Sequence, residues 1–185
     1  MAKRDKKKIT LGSGKIYYQE FSGTVPEVTT ICKEENLLGL IKGGASVEYT
    51  MEKYEEKDDL GLVSKVITVS EEALLKLGLI TWNGETLTKL TSRGTTTVAS
   101  GKRTTKIGGA GNNSDKNYVW CFAHEDKTDG NVWVVVVGQN QAGFTLSFAA
   151  DEGTVLEPEI KAIPQDDAGT LILFIEESDA TTTGS

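Results

Sequence analysis

From Ala45 onward the chain alternates without a break: Ala45, Val47, Tyr49 and Met51 interleave with Ser46, Glu48, Thr50 and Glu52. Successive side chains of a strand point to opposite sides, so this stretch predicts a long strand with two unlike faces. The apolar set is expected on the core of the subunit. The other face carries hydroxyls and carboxylates.

Other segments read the same way. "KIYYQEF", "VSKVITV", "YVWCFAHE", "NVWVVVVG", "FTLSFAA" and "TLILFIEE" are rich in β-branched or aromatic residues and are bounded by Gly, Asn or Asp. "NVWVVVVG" reads as a central strand buried on both faces. "DKTDG" joins it to "YVWCFAHE", and its Asp129-Gly130 step suits a hairpin turn. Phe144, Leu146 and Phe148 alternate with Thr145 and Ser147, which predicts one packed and one wet face there too. A single helix is predicted over residues 70–78, with Ser70 as N-cap, Glu71 and Glu72 at the positive end of the dipole, and Gly78 as the stop. Such a short helix needs Leu74, Leu75 and Leu77 buried against a sheet to persist. Between Leu90 and Asn117 the chain turns to Thr, Gly, Ser, Lys and Asn, enough for a polar strand or two. The fold class is mainly β.

The 185 residues suffice for one well-filled core, and 38% hydrophobic with 25% charged residues fits a globular protein. A net charge of −7 argues against a general nucleic-acid binder, which needs a surplus of Lys and Arg against phosphates. The charge is uneven: "MAKRDKKK" is basic, whereas carboxylates dominate from Asp151 to Asp179. No stretch reaches the length of an apolar membrane span, and the basic start leads into "ITLGSGKIYY" instead of an apolar signal core. Cys32 and Cys121 lie far apart with no CxxC pattern, so free buried thiols are expected, not a disulfide framework or a zinc site.

Little in the sequence points to catalysis. The lone histidine, His124, is in phase with Tyr118, Trp120 and Phe122 and reads as a buried or rim residue. "EEKDD" (Glu55 to Asp59) lacks the glycine and ligand spacing of an EF-hand, "LGSGK" is too short for a P-loop, and no GxSxG occurs. The expectation is a non-enzyme without metal or cofactor. Trp120 and Trp133 fall in the most hydrophobic strands, and Trp82 beside Asn83-Gly84 is placed nearer the surface. Structure or binding is left as the role.

Taken together, "ITLGSGKIYYQEF", then "LGLIKGGASVEYTMEKYEEKDDLGLVSKVITVSEEALLKLGLITWN" from Leu38 to Asn83, and the strands up to "TLILFIEE" resemble the major tail tube protein of long-tailed, siphovirus-type bacteriophages and related prophages. The resemblance implies two packed antiparallel sheets, a β-sandwich, flanked by one short helix, with an extended strand-loop-strand arm. It further implies six-membered rings whose strands form a shared inner β-barrel, stacked into a hollow tube through which DNA is ejected. On that pattern the chain divides into a basic arm (1–8), a β-sandwich domain (9–176, with the strand-loop-strand arm at 44–69 and the helix at 70–78) and a flexible tail (177–185). Ser46, Glu48, Thr50 and Glu52 are then expected to face the lumen. Lys53, Tyr54, Glu55, Glu56, Lys57, Asp58 and Asp59 would form a ring-stacking loop, and Lys3, Arg4, Lys6, Lys7 and Lys8 a stacking arm. The implied partners are further copies of the chain, tail tip or baseplate, tape measure and tail terminator proteins, and double-stranded DNA passing without specific binding. The implied location is the virion, after assembly in the host bacterial cytoplasm. Three alternatives remain at this level: a carbohydrate-binding β-sandwich using Trp82 and Trp133, a hydrolase built on His124, and the tube of a contractile tail or tail-like particle.

Overall fold

The computed structural model describes residues 12–114 and 116–178. The basic segment 1–8, with Lys3, Arg4, Lys6, Lys7 and Lys8, lies outside the described residues, as does 179–185 of the C-terminal tail. In chain order the elements are β1 (Lys15–Glu20), α1 (Val28–Ile31), β2 (Leu37–Lys57), β3 (Ser64–Leu79), α2 (Gly84–Leu90), β4 (Gly94–Ala99), β5 (Lys102–Ile107), β6 (Tyr118–His124), β7 (Val132–Asn140), β8 (Glu159–Ala162) and β9 (Ile172–Glu176). The chain is mainly β, as the alternation predicts.

Instead of two separate packed sheets, one antiparallel seven-stranded sheet runs in the order β6-β1-β2-β3-β8-β7-β9, and β6 also pairs with β7. The ladder therefore returns to its start. Six strands form a closed cycle, and β9 is added on the edge of β7 beyond β8: Gly138 to Asn140 pair with β8, and Val132 to Val136 pair with β9. Strands β4 and β5 make a separate two-stranded ribbon.

Closure explains the core. One cluster draws Ile16, Leu38, Leu75, Leu77, Leu79, Trp120, Val136 and Ile160 from all six strands of the cycle, with Leu87 and Leu90 of α2 packed into it. A small closed barrel has room for side chains and little else. A second cluster, with Tyr17, Val119, Cys121, Val135 and Val137, covers the opposite face of β1, β6 and β7 and is roofed by Ile31 of α1. Strand β7 is thus buried on both faces, which is why its sequence is a nearly continuous run of valine.

Two predicted elements are corrected. Residues 70–78 are not a helix: they belong to β3, paired with β2 from Ile41↔Leu79 to Lys57↔Ser64. Ala73, Leu75, Leu77 and Leu79 are buried, and the residues between them point the other way, so a two-residue period lies inside a helix-like composition. Propensities of a few tenths of a kcal/mol per residue yield to pairing along an extended partner. The helix is instead α2, where the Asn83 carboxamide oxygen accepts from Glu85 N at 2.8 Å and Thr86 N at 3.2 Å, and Thr86 Oγ1 accepts from Asn83 N. This capping box was present in "NGET" and is the sequence sign of the true helix. The second correction is "FTLSFAA", which forms no strand. Phe144 packs on the barrel core, but Phe148 is 80% exposed, because no strand lies alongside to use the alternation.

Candidate assembly surface

Strands β2 and β3 make a hairpin much longer than the body it grows from. On its outer flank β2 pairs with β1 only from Leu37 to Leu40, and β3 pairs with β8 only from Leu74 to Lys76, followed by a bridge at Leu79↔Leu156. Among the described residues, no strand pairs with the outer edge of β2 from Lys42 to Lys57 or with that of β3 from Ser64 to Ala73. The pairs from Met51↔Glu71 to Lys57↔Ser64 extend past the β8 contact, a reach of about 20 Å at roughly 3.4 Å per residue. An arm with two open edges results.

Where the arm leaves the barrel, the register jumps from Ile41↔Leu79 to Ala45↔Leu77, leaving β2 with extra residues. Gly43 and Gly44 absorb the excess at φ 85° and 91°, a region open to glycine. On the facing strand Gly78 has no space for a side chain, since a Cβ there would lie 2.1 Å from Lys42 O. A second irregularity between Glu52 and Lys53 leaves Val69 unopposed. Bulges bend and twist strands, and these two shape the arm.

The predicted apolar face has the right direction and the wrong neighbour. Ala45, Val47, Tyr49 and Met51 lie opposite Leu77, Leu75, Ala73 and Glu71, on the side the barrel core occupies. Ala45 packs against that core, whereas Val47, Tyr49 and Met51 are 39%, 45% and 47% exposed. They are only half covered, although Leu75 and Ala73 opposite Val47 and Tyr49 are fully buried.

The polar face holds Ser46, Glu48, Thr50 and Glu52 together, as predicted from the alternation, but it is not a bare acidic strip. Opposite them stand Lys76, Leu74, Glu72 and Ser70. Lys76 Nζ is 2.9 Å from Glu48 Oε2 and 4.0 Å from Glu159 Oε1, Lys161 Nζ is 2.8 Å from Glu72 Oε2, and Ser70 Oγ donates to Glu52 at 3.0 Å. The Glu48 carboxylate, by its hydrogen bond and its charge, raises the Lys76 ammonium above its ordinary value. These pairs are half-exposed, so they chiefly fix side-chain positions. Reading residues 70–78 as a helix hid Glu72 and Lys76 from this face. Carboxylates still outnumber ammonium groups on it.

The predicted stacking loop is mostly strand. Lys53, Tyr54, Glu55, Glu56 and Lys57 remain in β2, with Lys57 on Glu55 at 3.2 Å and the Tyr54 hydroxyl bonded to Glu56, and only Asp58 and Asp59 enter the turn. The tip itself is apolar: Leu60, Leu62 and Val63 are 79%, 78% and 70% exposed. Asp58 organises it. Its Oδ1 accepts from Val63 N at 2.6 Å and its Oδ2 from Leu60 N at 3.2 Å, while Gly61 takes a φ of 66°. In the sequence "LGLV" directly follows the charged run "EEKDD", which masks its apolar character.

The bond from Val63 N holds the Asp58 carboxyl below the 3.8 of an ordinary Asp. A depressed carboxyl contributes its stabilisation fully above the unfolded value and loses it as pH falls through the folded one. The Val63 amide resonance should therefore titrate with a midpoint below 3.8. Asp58→Ala should remove that titration, speed amide exchange at Leu60 and Val63 and lower Tm only slightly; an unchanged exchange rate would show that the carboxylate does not organise the tip.

Among the described residues, His124, Trp82 and Trp133 do not converge on one place. His124 is buried, with Nδ1 donating to Ser13 O at 2.8 Å and Nε2 meeting no partner among the described residues. Trp82 packs against the inner core with Nε1 donating to Thr154 O at 3.1 Å, whereas Trp133 packs against the outer cluster, so the two share no platform. Among the described residues there is no cluster of three or more His, Cys, Asp or Glu suited to a metal ion, and no helix long and apolar enough to cross a membrane. Comparison with protein-family models gives no match, and comparison with curated proteins gives none either.

Proposed function

We propose that this chain is a self-assembling structural subunit of the tail-tube type, in which copies join their β2–β3 hairpins into rings and the rings stack into a hollow tube. The observation that carries the reading is the hairpin with two open edges. Unpaired strand edges recruit further strands, and natural chains otherwise cover, shorten or charge them. Here one edge from each of two neighbours can pair, and the half-exposed Val47, Tyr49 and Met51 meet a surface supplied by the adjacent copy. Such contact is head-to-tail and closes by rotation into a ring, with six members as the family pattern implies. The apolar tip at Leu60, Leu62 and Val63 supplies the second, non-closing contact along the tube axis. Apolar burial supplies adhesion in that contact, and the charged residues Lys53 to Asp59 set register.

In such a tube the face with Ser46, Glu48, Thr50 and Glu52 lines the bore. Its ion pairs leave a surface of slightly negative balance that does not hold phosphates. A basic wall would grip DNA at every ring, because phosphate contacts repeat and their avidity multiplies. The corresponding partners are tail tip or baseplate, tape measure and terminator proteins, with double-stranded DNA as passing cargo and the virion as location. The separation of Trp82 from Trp133 speaks against the carbohydrate-binding alternative, whereas the open-edged hairpin and the apolar tip suit equally the tube of a contractile tail or tail-like particle.

Negative-stain microscopy and light scattering over a concentration series test the proposal. Rings or hollow rods are expected; a monomer at every concentration would overturn it. In assembled rods, Glu48→Lys with Glu52→Lys should leave the subunit's melting unchanged within about 1 kcal/mol and make the rods retain double-stranded DNA in a salt-dependent pull-down. Rods that retain no more DNA than the parent would remove those two residues from the bore.

A further inference from the structure

We propose that Cys32 and Cys121 form an intramolecular disulfide by exchange with a low-molecular-weight disulfide such as oxidised glutathione, tying the α1 segment covalently to the barrel wall. The two residues are 89 positions apart in sequence, yet their sulfurs lie 3.7 Å apart as free thiols in hydrogen-bond contact. Both backbones are held. Cys32 ends α1, with its N–H donating to Val28 O at 2.8 Å, and Cys121 sits in the middle of β6 between Tyr17 of β1 and Val135 of β7. Bond formation needs the sulfurs to close from 3.7 Å to about 2.05 Å, a movement within reach of side-chain rotation and a small shift of the α1 segment.

The environments divide the roles. Cys32 is half-buried and reachable from solvent; Cys121 is buried. The hydrogen bond from Cys121 lowers the Cys32 thiol below its ordinary value, while that bond, with burial, pushes Cys121 up. The Cys32 thiolate attacks one sulfur of the oxidised glutathione, breaking its S–S bond and releasing one glutathione thiolate. Cys121 then loses its proton and attacks Cys32 Sγ, releasing the second glutathione thiolate and leaving the protein disulfide. Two protein thiols become one disulfide, and the oxidant takes up both electrons and both protons. The new bond closes a loop that contains β2, β3, α2, β4 and β5, so it restricts the unfolded chain strongly.

The test uses the full folded chain equilibrated in oxidised or in reduced glutathione. The expected result in the oxidised arm is loss of both thiols together, a mass lower by two hydrogens, no covalent dimer, and a Tm raised by roughly 5–15 °C. Dithiothreitol should reverse all of it, and Cys32→Ser should show none of it. Two thiols still free after equilibration, a persistent single glutathione adduct on Cys32, or cross-linked dimers would each overturn the proposal. The thiol count on the parent chain decides the matter even where a variant fails to fold. The result is independent of whether the chain forms tubes.

Discussion

Replacing residues 52–70 by Asn-Gly, so that Met51 and Glu71 flank a two-residue turn, is expected to leave a folded subunit and abolish rods altogether. Every residue removed is exposed, and the Ser70–Glu52 hydrogen bond and the Tyr54–Glu56 contact lie wholly within the excised arm. The body keeps the Lys161–Glu72 pair, the β3–β8 ladder and both core clusters. An Asn-Gly turn suits the twist of an antiparallel pair. Tm should move by no more than a few degrees. Rods of normal appearance from this variant would show that the arm is not the assembling element. A gentler variant separates the two contacts: Leu60→Ser with Leu62→Ser and Val63→Ser should still give rings and should not give long tubes.

Trp120→Ala is expected to have the largest effect on the subunit itself. Trp120 is fully buried at the centre of the barrel, its Nε1 donates to Gly138 O at 3.0 Å, and its ring meets Tyr18 edge-on at 5.3 Å and Tyr118 at 6.4 Å. Emptying such a site costs about 3–5 kcal/mol, against a typical total stability of about 5–15 kcal/mol. The expected fall in Tm is roughly 6–20 °C by calorimetry. Trp120→Phe keeps most of the packing and loses the indole N–H, so its fall should be clearly smaller. A loss below about 1 kcal/mol for the alanine variant would mean that the barrel interior is not close-packed around this ring.

Much of this architecture was legible in the alternation of β2, the valine run of β7, and the Asp129-Gly130 turn between β6 and β7, where Gly130 takes a φ of 90°. The two polar strands β4 and β5 were legible too. Ser46, Glu48, Thr50 and Glu52 were correctly grouped on one face, because a period of two operates within a single strand. Their ionic partners were not legible. Glu72 and Lys76 reach that face only when residues 70–78 are extended, and Lys161 arrives from β8, far along the chain. The apolar tip was overlooked because its four residues follow a run of charge.

The sequence by itself determined that this chain is β-rich, that β7 lies inside, and that one long strand carries two chemically different faces, since each is a repeat readable over neighbouring residues. Only the tertiary structure decided that residues 70–79 are strand, that six strands close into a cycle, that the hairpin outruns its own core, and that Cys32 meets Cys121. Those outcomes rest on pairings between residues tens of positions apart, whose summed hydrogen bonds and buried area outweigh local preferences of a few tenths of a kcal/mol.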